Sequence, residues 1–424
     1  MEKEKFFTLH TEEMLEYRPF GAQTLVTLDG NLTAAADSLG KIAESIKEGM
    51  LYTQIKNVVE NQYDIGRLVG MYQMFGGYVN LSFAIYTEKD GQRQTWMIRK
   101  YKKGKELGPL LFEHKLLSYS YDHGFSIGCR PIPAKDGRTY YTEKVQYPDG
   151  EFEDVFAIFN FLDGVSTYSW IGNWADEGIP ANVYLTAAHN MAMFHSSVQG
   201  FDPGELHGDN IMDSEDILVN DLIAKFPETL KRFRKVYAEN SGEDVFTEIF
   251  DDSYDFMKEM CEKSTIPQAD YDTMMKCACQ CDFHPANFKY DKNHNPISSF
   301  DYDMSKMDSR LFEIGLALHY CFASWKSATN GVMDIERARA FVGEYIKATE
   351  DYDNLEPLTE TEKKYLYEVT VQGSLYDIAW CTSAYSYDAT LDPYEYLYYM
   401  QHLISSLHWI DDHKTEFREA MKTL

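Results

Sequence analysis

Several features are missing from this 424-residue sequence, and each absence excludes a class of protein. No run of about eighteen apolar residues occurs, which argues against a transmembrane helix. No apolar stretch follows the charged start at residues 1–5, so we expect no secretory signal peptide. Internal repeats and low-complexity tracts are also lacking, which argues against a repeat protein or a disordered chain.

Positive charge is scarce as well. The chain has 40 Lys and Arg residues against 68 Asp and Glu residues, a formal net charge of −28. Such a surface repels nucleic acid and anionic membranes, so we expect neither as a partner. The acidity is typical of a soluble cytoplasmic protein, and an acidic pocket for a cationic substrate is the second interpretation. The sequence does not indicate an oligomeric state.

Cysteine is present in an odd number, seven, which favours reduced thiols in the cytoplasm. Cys277, Cys279 and Cys281 alternate, but they lack the paired C-x₂-C spacing of zinc sites. In a strand all three would share one face and pack into the core. We therefore expect structural thiols, with a thiol metal site as the alternative.

The chain is large enough for two or three domains, and 44% of its residues are hydrophobic and 15% aromatic. Strand-like segments dominate as far as the apolar run at residues 155–162, and helical patterns follow. We predict an α+β fold with a helical N-terminal extension (1–70), a small β-rich lobe (71–163) and a large helical lobe (164–424).

One stretch carries most of the chemical information. Residues 281–287 (CDFHPAN) precede two short strands around the polar turn 291–296, and residues 300–303 (FDYD) follow. A hairpin of this size brings Asn287 and Asp301 together, and amide and carboxylate oxygens are hard ligands suited to Mg²⁺. Asp282 is then free to accept a proton from a substrate hydroxyl. This division of roles is the one that phosphoryl transfer needs.

Weaker signals lie upstream. Gly76 and Gly77 form a turn between two strands that could approach phosphates, or could be an ordinary hairpin. The next strand carries Arg99 and Lys100, of which only one can point inward. Glu113 lies near the start of the following helix. A strand cation followed by a helix glutamate is the arrangement of kinase folds, and a surface pair is the alternative.

Two other segments are interpreted as non-catalytic. Asp209 in the sequence HGDN looks like a phosphotransferase loop, but Ser214 stands where an Asn ligand is needed and no hairpin follows. We interpret it as a solvated turn. His195 lies on the apolar face of a helix, which favours a packed core histidine over a ligand.

The motifs 281–287, 300–303 and 309–314 resemble the aminoglycoside phosphotransferase family. They are closest to its branch of type II homoserine kinase, N-acetylhexosamine kinase and methylthioribose kinase. The resemblance implies a two-lobed protein-kinase-like fold that uses ATP and Mg²⁺. It also implies that Asp282 is the catalytic base and that Asn287 and Asp301 bind Mg²⁺.

The same resemblance assigns nucleotide-binding positions in the β-rich lobe. Arg99 falls where the family has its phosphate-binding cation, with Lys100 as the alternative one residue on. The implied nucleotide-binding residues are Gly76, Gly77, Arg99, Lys100, Glu113, Asn160 and Phe161. The chain departs from the family at Gln280 and Cys281, where His-Gly is usual. This departure keeps open a second hypothesis, a catalytically inactive nucleotide-binding or scaffold protein.

The predicted activity is phosphorylation of a hydroxyl group on a small molecule. A sugar, an amino sugar or an amino alcohol such as homoserine fits an acidic lobe rich in aromatic residues. Asp303 and Arg310 are candidate substrate ligands, and Trp170, Trp174 and Trp325 are candidate aromatic contacts.

Overall fold

The computed structural model describes residues 51–74, 80–147, 150–168, 174–208, 218–240, 245–387 and 393–424. The chain divides into two units. The first takes in the described part of Met1–Leu107 with Cys129–Leu162, and the second takes in Gly108–Gly128 with Asp163–Leu424. The helix predicted within the first fifty residues lies outside the described residues.

The first unit is built on a five-stranded antiparallel sheet with strand order β1-β2-β3-β5-β4. Each neighbouring pair of strands is antiparallel, and β5 carries a continuous run of six buried residues. The strands are β1 (Arg67–Met74), β2 (Leu81–Lys89), β3 (Gln92–Lys100), β4 (Tyr141–Tyr147) and β5 (Gly150–Asn160).

A helical segment covers one face of this sheet. Residues 51–57 are α-helical and continue into a π-helical turn, Val58–Gln62. Ile55, Val58 and Val59 are buried in one cluster with Phe83 and Ile98 of the sheet. An antiparallel sheet can leave one face to solvent, but its apolar face has to be covered, and this segment covers it.

A charged pair is enclosed on the same face. The Lys100 ammonium lies 2.6 Å from Asp154 Oδ2 and 3.1 Å from Gln54 Oε1. Only 1% of the Asp154 side chain is exposed. Burial acts to raise the pKa of Asp154, but hydrogen bonds from Lys100, Tyr147 and Gln54 bring it below its ordinary value. Lys100 therefore has a structural partner within its own sheet.

The second unit is mainly helical. Its helices are α1 (Leu107–Asp122), α2 (Ala181–Ser197), α3 (Val219–Asn240), α4 (Val245–Ser264), α5 (Gln268–Tyr271), α6 (Arg310–Phe322), α7 (Ile335–Ala348), α8 (Glu360–Lys364), α9 (Leu366–Tyr387), α10 (Pro393–Asp412) and α11 (Lys414–Met421). Two small antiparallel pairs join β6 (Lys276–Cys279) to β9 (Lys306–Ser309) and β7 (Phe288–Tyr290) to β8 (Pro296–Ser299). A β-rich first unit and a helical second unit confirm the predicted α+β class. None of the helices in the described ranges is long and apolar enough to cross a bilayer.

Helices α6 and α9 cross at very close range in the core of this unit. A Cβ atom on Gly315 would lie 2.4 Å from the backbone of Val369, and one on Gly373 would lie 2.9 Å from Leu316 Cα. Because only glycine lacks that atom, both positions require it. The crossing fixes α6, which follows the predicted catalytic segment, against α9.

We predict that Lys100→Met lowers the free energy of unfolding by about 3 kcal/mol, because it leaves the buried Asp154 carboxylate without its counter-charge. Urea unfolding measures the change. Lys144→Met is the matched control, since Lys144 pairs with Glu151 on the surface with 68% of its side chain exposed. That change should cost about 1 kcal/mol or less. Equal losses in the two variants would contradict the buried role of Lys100.

Candidate active site

The hairpin β7–β8 brings the two halves of the predicted motif together. Phe288 pairs with Ser299, and the Phe300 N–H donates to the Asn287 carbonyl oxygen over 3.1 Å. Asp291 fixes the turn, because its Oδ1 accepts from the backbone N–H groups of Asn293 and Asn295. Asn287 and the residue before Asp301 are thus direct neighbours across the hairpin, as the sequence predicted.

Asp282 is held from two sides. The Asn287 side-chain amide donates to Asp282 Oδ2 over 2.6 Å and to the Asp282 carbonyl over 2.9 Å. His284 Nε2 lies 3.3 Å from Asp282 Oδ1, while its Nδ1 accepts from the Ala286 N–H. The second bond places the histidine proton on Nε2, facing the carboxylate. About a quarter of the Asp282 side chain, 23%, remains exposed to a substrate.

The same contacts prepare a set of oxygen ligands for a divalent cation. The amide nitrogen of Asn287 is committed to Asp282, so its oxygen is the atom left for a cation. Asp301 adopts a left-handed backbone conformation with φ of 65°, which turns the chain sharply beside Asn287. An amide oxygen and a carboxylate carried by neighbouring segments of one hairpin are the kind of hard oxygen ligands that Mg²⁺ prefers.

A buried glutamate supports the backbone in front of Asp282. Glu313 Oε1 accepts from the N–H groups of Gln280 over 2.6 Å and Cys281 over 3.3 Å. Its other oxygen, Oε2, lies 2.6 Å from His195 Nε2, and neither side chain is exposed. Cys281 itself has φ of 61°, so the chain turns there into Asp282. Glu313 therefore links α6, α2 and the loop that carries the proposed base.

His195 is the core histidine that the sequence predicted. Its Nδ1 lies 2.8 Å from the Tyr345 hydroxyl, so both ring nitrogens have partners. The Cys277 and Cys279 thiols approach the same ring, and the three ligand atoms lie within 4.8 Å of one another. Because both nitrogens are engaged, the imidazole has no lone pair left for a metal. All seven cysteines are free and buried, which fits structural thiols.

In the first unit the two strand cations lie on opposite faces of β3. Lys100 faces the covering helix and Asp154, as described above. Arg99, with 8% exposure, lies on the other face. The two cations that the sequence left as alternatives therefore lie in different surroundings, and Lys100 is held in a structural ion pair.

The other residues predicted to bind nucleotide lie in different parts of the fold, and two of them are not described. Asn160 pairs with Arg130, since its Oδ1 accepts from the Arg130 N–H. Phe161 is half-buried after the end of β5, and Glu113 is buried on α1 of the second unit. Gly76 and Gly77 lie outside the described residues, as does Asp209.

The substrate candidates are also distributed differently from the prediction. Arg310 is only 1% exposed, with its guanidinium bound to Glu362 and to the carbonyls of Glu356 and Pro357. It stabilises the core and is enclosed, so it is not accessible to a substrate in this position. Trp174 is fully buried, while Asp303 is half-buried beyond Asp301. Trp170 belongs to a segment that is not described.

Asp377 on α9 is a candidate site residue that sequence reasoning missed. Its Oδ1 accepts from the Tyr320 hydroxyl over 2.8 Å, and the Tyr320 ring lies 5.5 Å from the His284 ring beside Asp282. Its Oδ2 is buried without a hydrogen-bond partner. A signal was available, since Asp377 is the single charged residue in the otherwise uncharged stretch 369–387.

Electrostatics make the Asp377 carboxylate costly to ionise. Burial, together with the negative charge of Asp282, raises its pKa well above the ordinary value despite the Tyr320 hydrogen bond. His319 Nε2 lies 3.5 Å away, but burial lowers the pKa of His319 to about 3, so this ring brings no positive charge. Within the described ranges, no Lys or Arg lies within 4.0 Å of Asp377. The carboxylate therefore has no counter-charge from a described residue.

A group of aromatic side chains begins one helical turn along α9 from Asp377. Trp380 is one helical turn from Asp377, and its ring centroid lies 5.7 Å from Tyr396 and 6.0 Å from Tyr399. Glu395 is buried and accepts from the Tyr399 hydroxyl. We call Asp377, Trp380, Glu395, Tyr396 and Tyr399 the acidic-aromatic cluster. Carboxylates among aromatic faces are suited to binding an organic cation.

The antiparallel sheet, the helical unit and the loop with its following hairpin together define a protein-kinase-like fold. The family model of the phosphotransferase enzyme family matches residues 75–358, about two thirds of the chain. The chain belongs to this family. No curated protein sequence matches it closely enough to count as a relative.

Solved structures with a similar fold include two kinases from parasites. Plasmodium vivax ethanolamine kinase has 14% identity and a TM-score of 0.51, and the match covers 89% of this chain and 96% of that one. Choline kinase from Cryptosporidium parvum has 13% identity and a TM-score of 0.51, covering 83% and 92%. An amicoumacin kinase in complex with AMP-PNP, Ca²⁺ and Ami has 12% identity and a TM-score of 0.52, covering 91% and 96%. At these identities the likeness establishes the fold.

The His195–Glu313 pair predicts a pH-dependent stability. Burial alone would lower the pKa of His195, but interactions with Cys277 and Glu313 raise it above its ordinary value. The pair therefore stabilises the fold fully below about pH 6.5, and this contribution is lost as the pH rises through the raised pKa. We expect His195→Gln to lower the free energy of unfolding by about 3 kcal/mol at pH 6 and by less at pH 9.

Denaturant unfolding at a series of pH values measures this difference. His189→Gln on the same helix is the control, since His189 is 39% exposed and lies 3.8 Å from Asp351. It should change stability little at any pH. A His195→Gln effect that grows with pH would show that the imidazole is neutral in the folded protein.

Proposed function

We propose that this phosphotransferase uses ATP and Mg²⁺ to phosphorylate a hydroxyl of a small molecule that also carries an amino group. Amino alcohols and amino sugars are the acceptor classes that fit. The observation that carries the proposal is the pair of hydrogen bonds from the Asn287 side-chain amide to Asp282, beside the hairpin bond that joins Asn287 to Phe300, the residue before Asp301. One compact loop thus offers a proton acceptor and two oxygen ligands.

In the proposed reaction Asp282 orients the acceptor hydroxyl and accepts its proton. As that proton moves to the carboxylate, the acceptor oxygen forms a bond to the γ-phosphorus of ATP. The bond from the γ-phosphorus to the bridging oxygen breaks, and ADP leaves with its electron pair. The products are a phosphate ester, ADP and a proton, which Asp282 later returns to water. His284 and Asn287 hold the carboxylate in place during this transfer.

Asn287 and Asp301 would hold Mg²⁺, which neutralises phosphate charge when it is bound. In the first unit we propose Arg99 as the phosphate-binding cation, because Lys100 is committed to Asp154. A guanidinium offers a planar fork of donors that matches phosphate oxygens. The roles predicted for Gly76, Gly77, Glu113, Asn160 and Phe161 stay predictions. A nucleotide analogue and a divalent cation are present together in the amicoumacin kinase complex.

The surroundings of Asp377 are the reason for proposing an amino group on the acceptor. A buried carboxylate without a counter-charge is unfavourable, and an ammonium group is a ligand that would offset this cost. Tyr320 connects Asp377 to the surroundings of Asp282, so a molecule with an amine and a hydroxyl could reach both carboxylates. Two of the similar structures are named for ethanolamine and choline, both alcohols with a cationic nitrogen.

An assay of ATP consumption with ethanolamine, choline, homoserine, amino sugars and aminoglycosides tests the activity. With the acceptor that this panel identifies, Asp282→Asn should lower kcat by about 10²–10⁴, because the transfer loses its proton acceptor. ATP with Mg²⁺ should still raise the melting temperature of the variant, since Asn287 and Asp301 remain. Full activity of Asp282→Asn would refute the base assignment. Nucleotide binding without turnover of any acceptor would favour an inactive nucleotide-binding protein.

The amine proposal has its own test. Asp377→Asn should raise the KM of the amine-bearing acceptor by about 10- to 100-fold, because a charge-assisted hydrogen bond is lost, while the KM of ATP stays unchanged. An analogue with hydroxyl in place of the amine serves as the control, since its KM should be nearly the same in both proteins. An unchanged KM for the amine would remove Asp377 from the acceptor site.

A further inference from the structure

The residue that departs from the family pattern makes specific contacts in this structure. Gln280 is 2% exposed, and its side-chain Nε2 donates to two carbonyl oxygens, those of Phe300 over 2.9 Å and Asp301 over 3.1 Å. Its backbone N–H donates to Glu313. One residue therefore connects three segments: the loop that leads to Asp282, the backbone of Asp301, and helix α6.

These contacts act on residues with strained backbones. Asp301 has φ of 65° and Cys281 has φ of 61°, values that cost energy for residues other than glycine. Such conformations persist only where the surroundings hold them. The Gln280 side chain holds the carbonyls on either side of the Phe300–Asp301 junction, and Glu313 holds the amides of Gln280 and Cys281. The turn at Asp301 is thus held by the Gln280 side chain, and the turn at Cys281 is held through the backbone of Gln280 and Cys281.

We propose that Gln280 is a positioning residue which keeps the Asp301 carboxylate in register with Asp282. This inference rests on the proposed function. A primary amide has two N–H donors on one nitrogen, which allows it to reach both carbonyls, and its charge does not change with pH. A glutamine at this position is therefore compatible with an active enzyme and does not by itself indicate a scaffold.

A matched control exists elsewhere in the same unit. Gln372 is also buried, and its Nε2 donates to Asn220 Oδ1 over 2.9 Å and to the Ser264 carbonyl over 2.8 Å. It makes the same number of hydrogen bonds but connects α9 to α3 and to the end of α4. Gln280→Met and Gln372→Met each remove two donors while keeping the side-chain length. Both variants should therefore lose thermal stability, and only the first should affect the metal ligand.

The decisive measurement is the Mg²⁺ concentration that gives half of the extra thermal stabilisation of the ATP-saturated protein. In Gln280→Met we expect it to rise about 10- to 100-fold, as is usual when a residue that orients a metal ligand is lost. The kcat should fall by a similar factor, with the acceptor KM changed less than about threefold. Gln372→Met should keep the wild-type Mg²⁺ requirement and kcat. A Gln280→Met protein that behaves like Gln372→Met would overturn the proposal.

A rescue variant tests whether the loss of hydrogen-bond donors, rather than a general loss of stability, causes the effect of Gln280→Met. Gln280→His restores one N–H donor and should have a Mg²⁺ requirement between those of wild type and Gln280→Met. A requirement no better than that of Gln280→Met would count against hydrogen bonding as the cause. The proposed function fails separately, because in that case the wild-type protein itself would show no stabilisation by ATP with Mg²⁺.

Discussion

The candidate active site depends on one buried carboxylate, that of Glu313. A charge enclosed in the core is costly unless every oxygen is satisfied, and here each one is. One oxygen accepts from the Gln280 and Cys281 amides, and the other faces His195, which also contacts Tyr345. The loop in front of Asp282 is therefore positioned from within the core. The glycine contacts between α6 and α9 keep Glu313 from moving.

This arrangement gives the site a rigid side and a chemically distinct acceptor side. The loop and the hairpin β7–β8 hold Asp282, Asn287 and Asp301 by short-range hydrogen bonds, as a transfer that depends on alignment requires. The proposed acceptor side lies on α9 and α10, where the acidic-aromatic cluster includes the buried Asp377, which has no counter-charge from a described residue. A cationic ligand would favour ionisation of Asp377, which is costly in its absence. The acidity of the whole chain, with a net charge of −28, has the same sign.

Local patterns in the sequence were sufficient for much of the fold and for the hairpin that follows Asp282. The hairpin β7–β8 and the strand that carries Arg99 and Lys100 follow from turn residues and strand-forming side chains, which act over a few residues. The meeting of Asn287 with Phe300 also follows, because it depends only on the length of one hairpin. By contrast, Arg310 was assigned to the substrate although its guanidinium is buried against Glu362, fifty-two residues further along the chain.

What the sequence by itself determined is the order of the chemical groups: a carboxylate, an amide and a second carboxylate at the spacing of one hairpin. The tertiary structure decided which of these groups have partners. It gave Lys100 a structural role, because Asp154 and Gln54 lie on the face of the sheet to which Lys100 points. It also brought Asp377 of a distant helix to Tyr320, and Gln280 to the backbone of Asp301. The physical reason is that hydrogen bonds, burial and charge depend on proximity in space, which packing between distant segments creates.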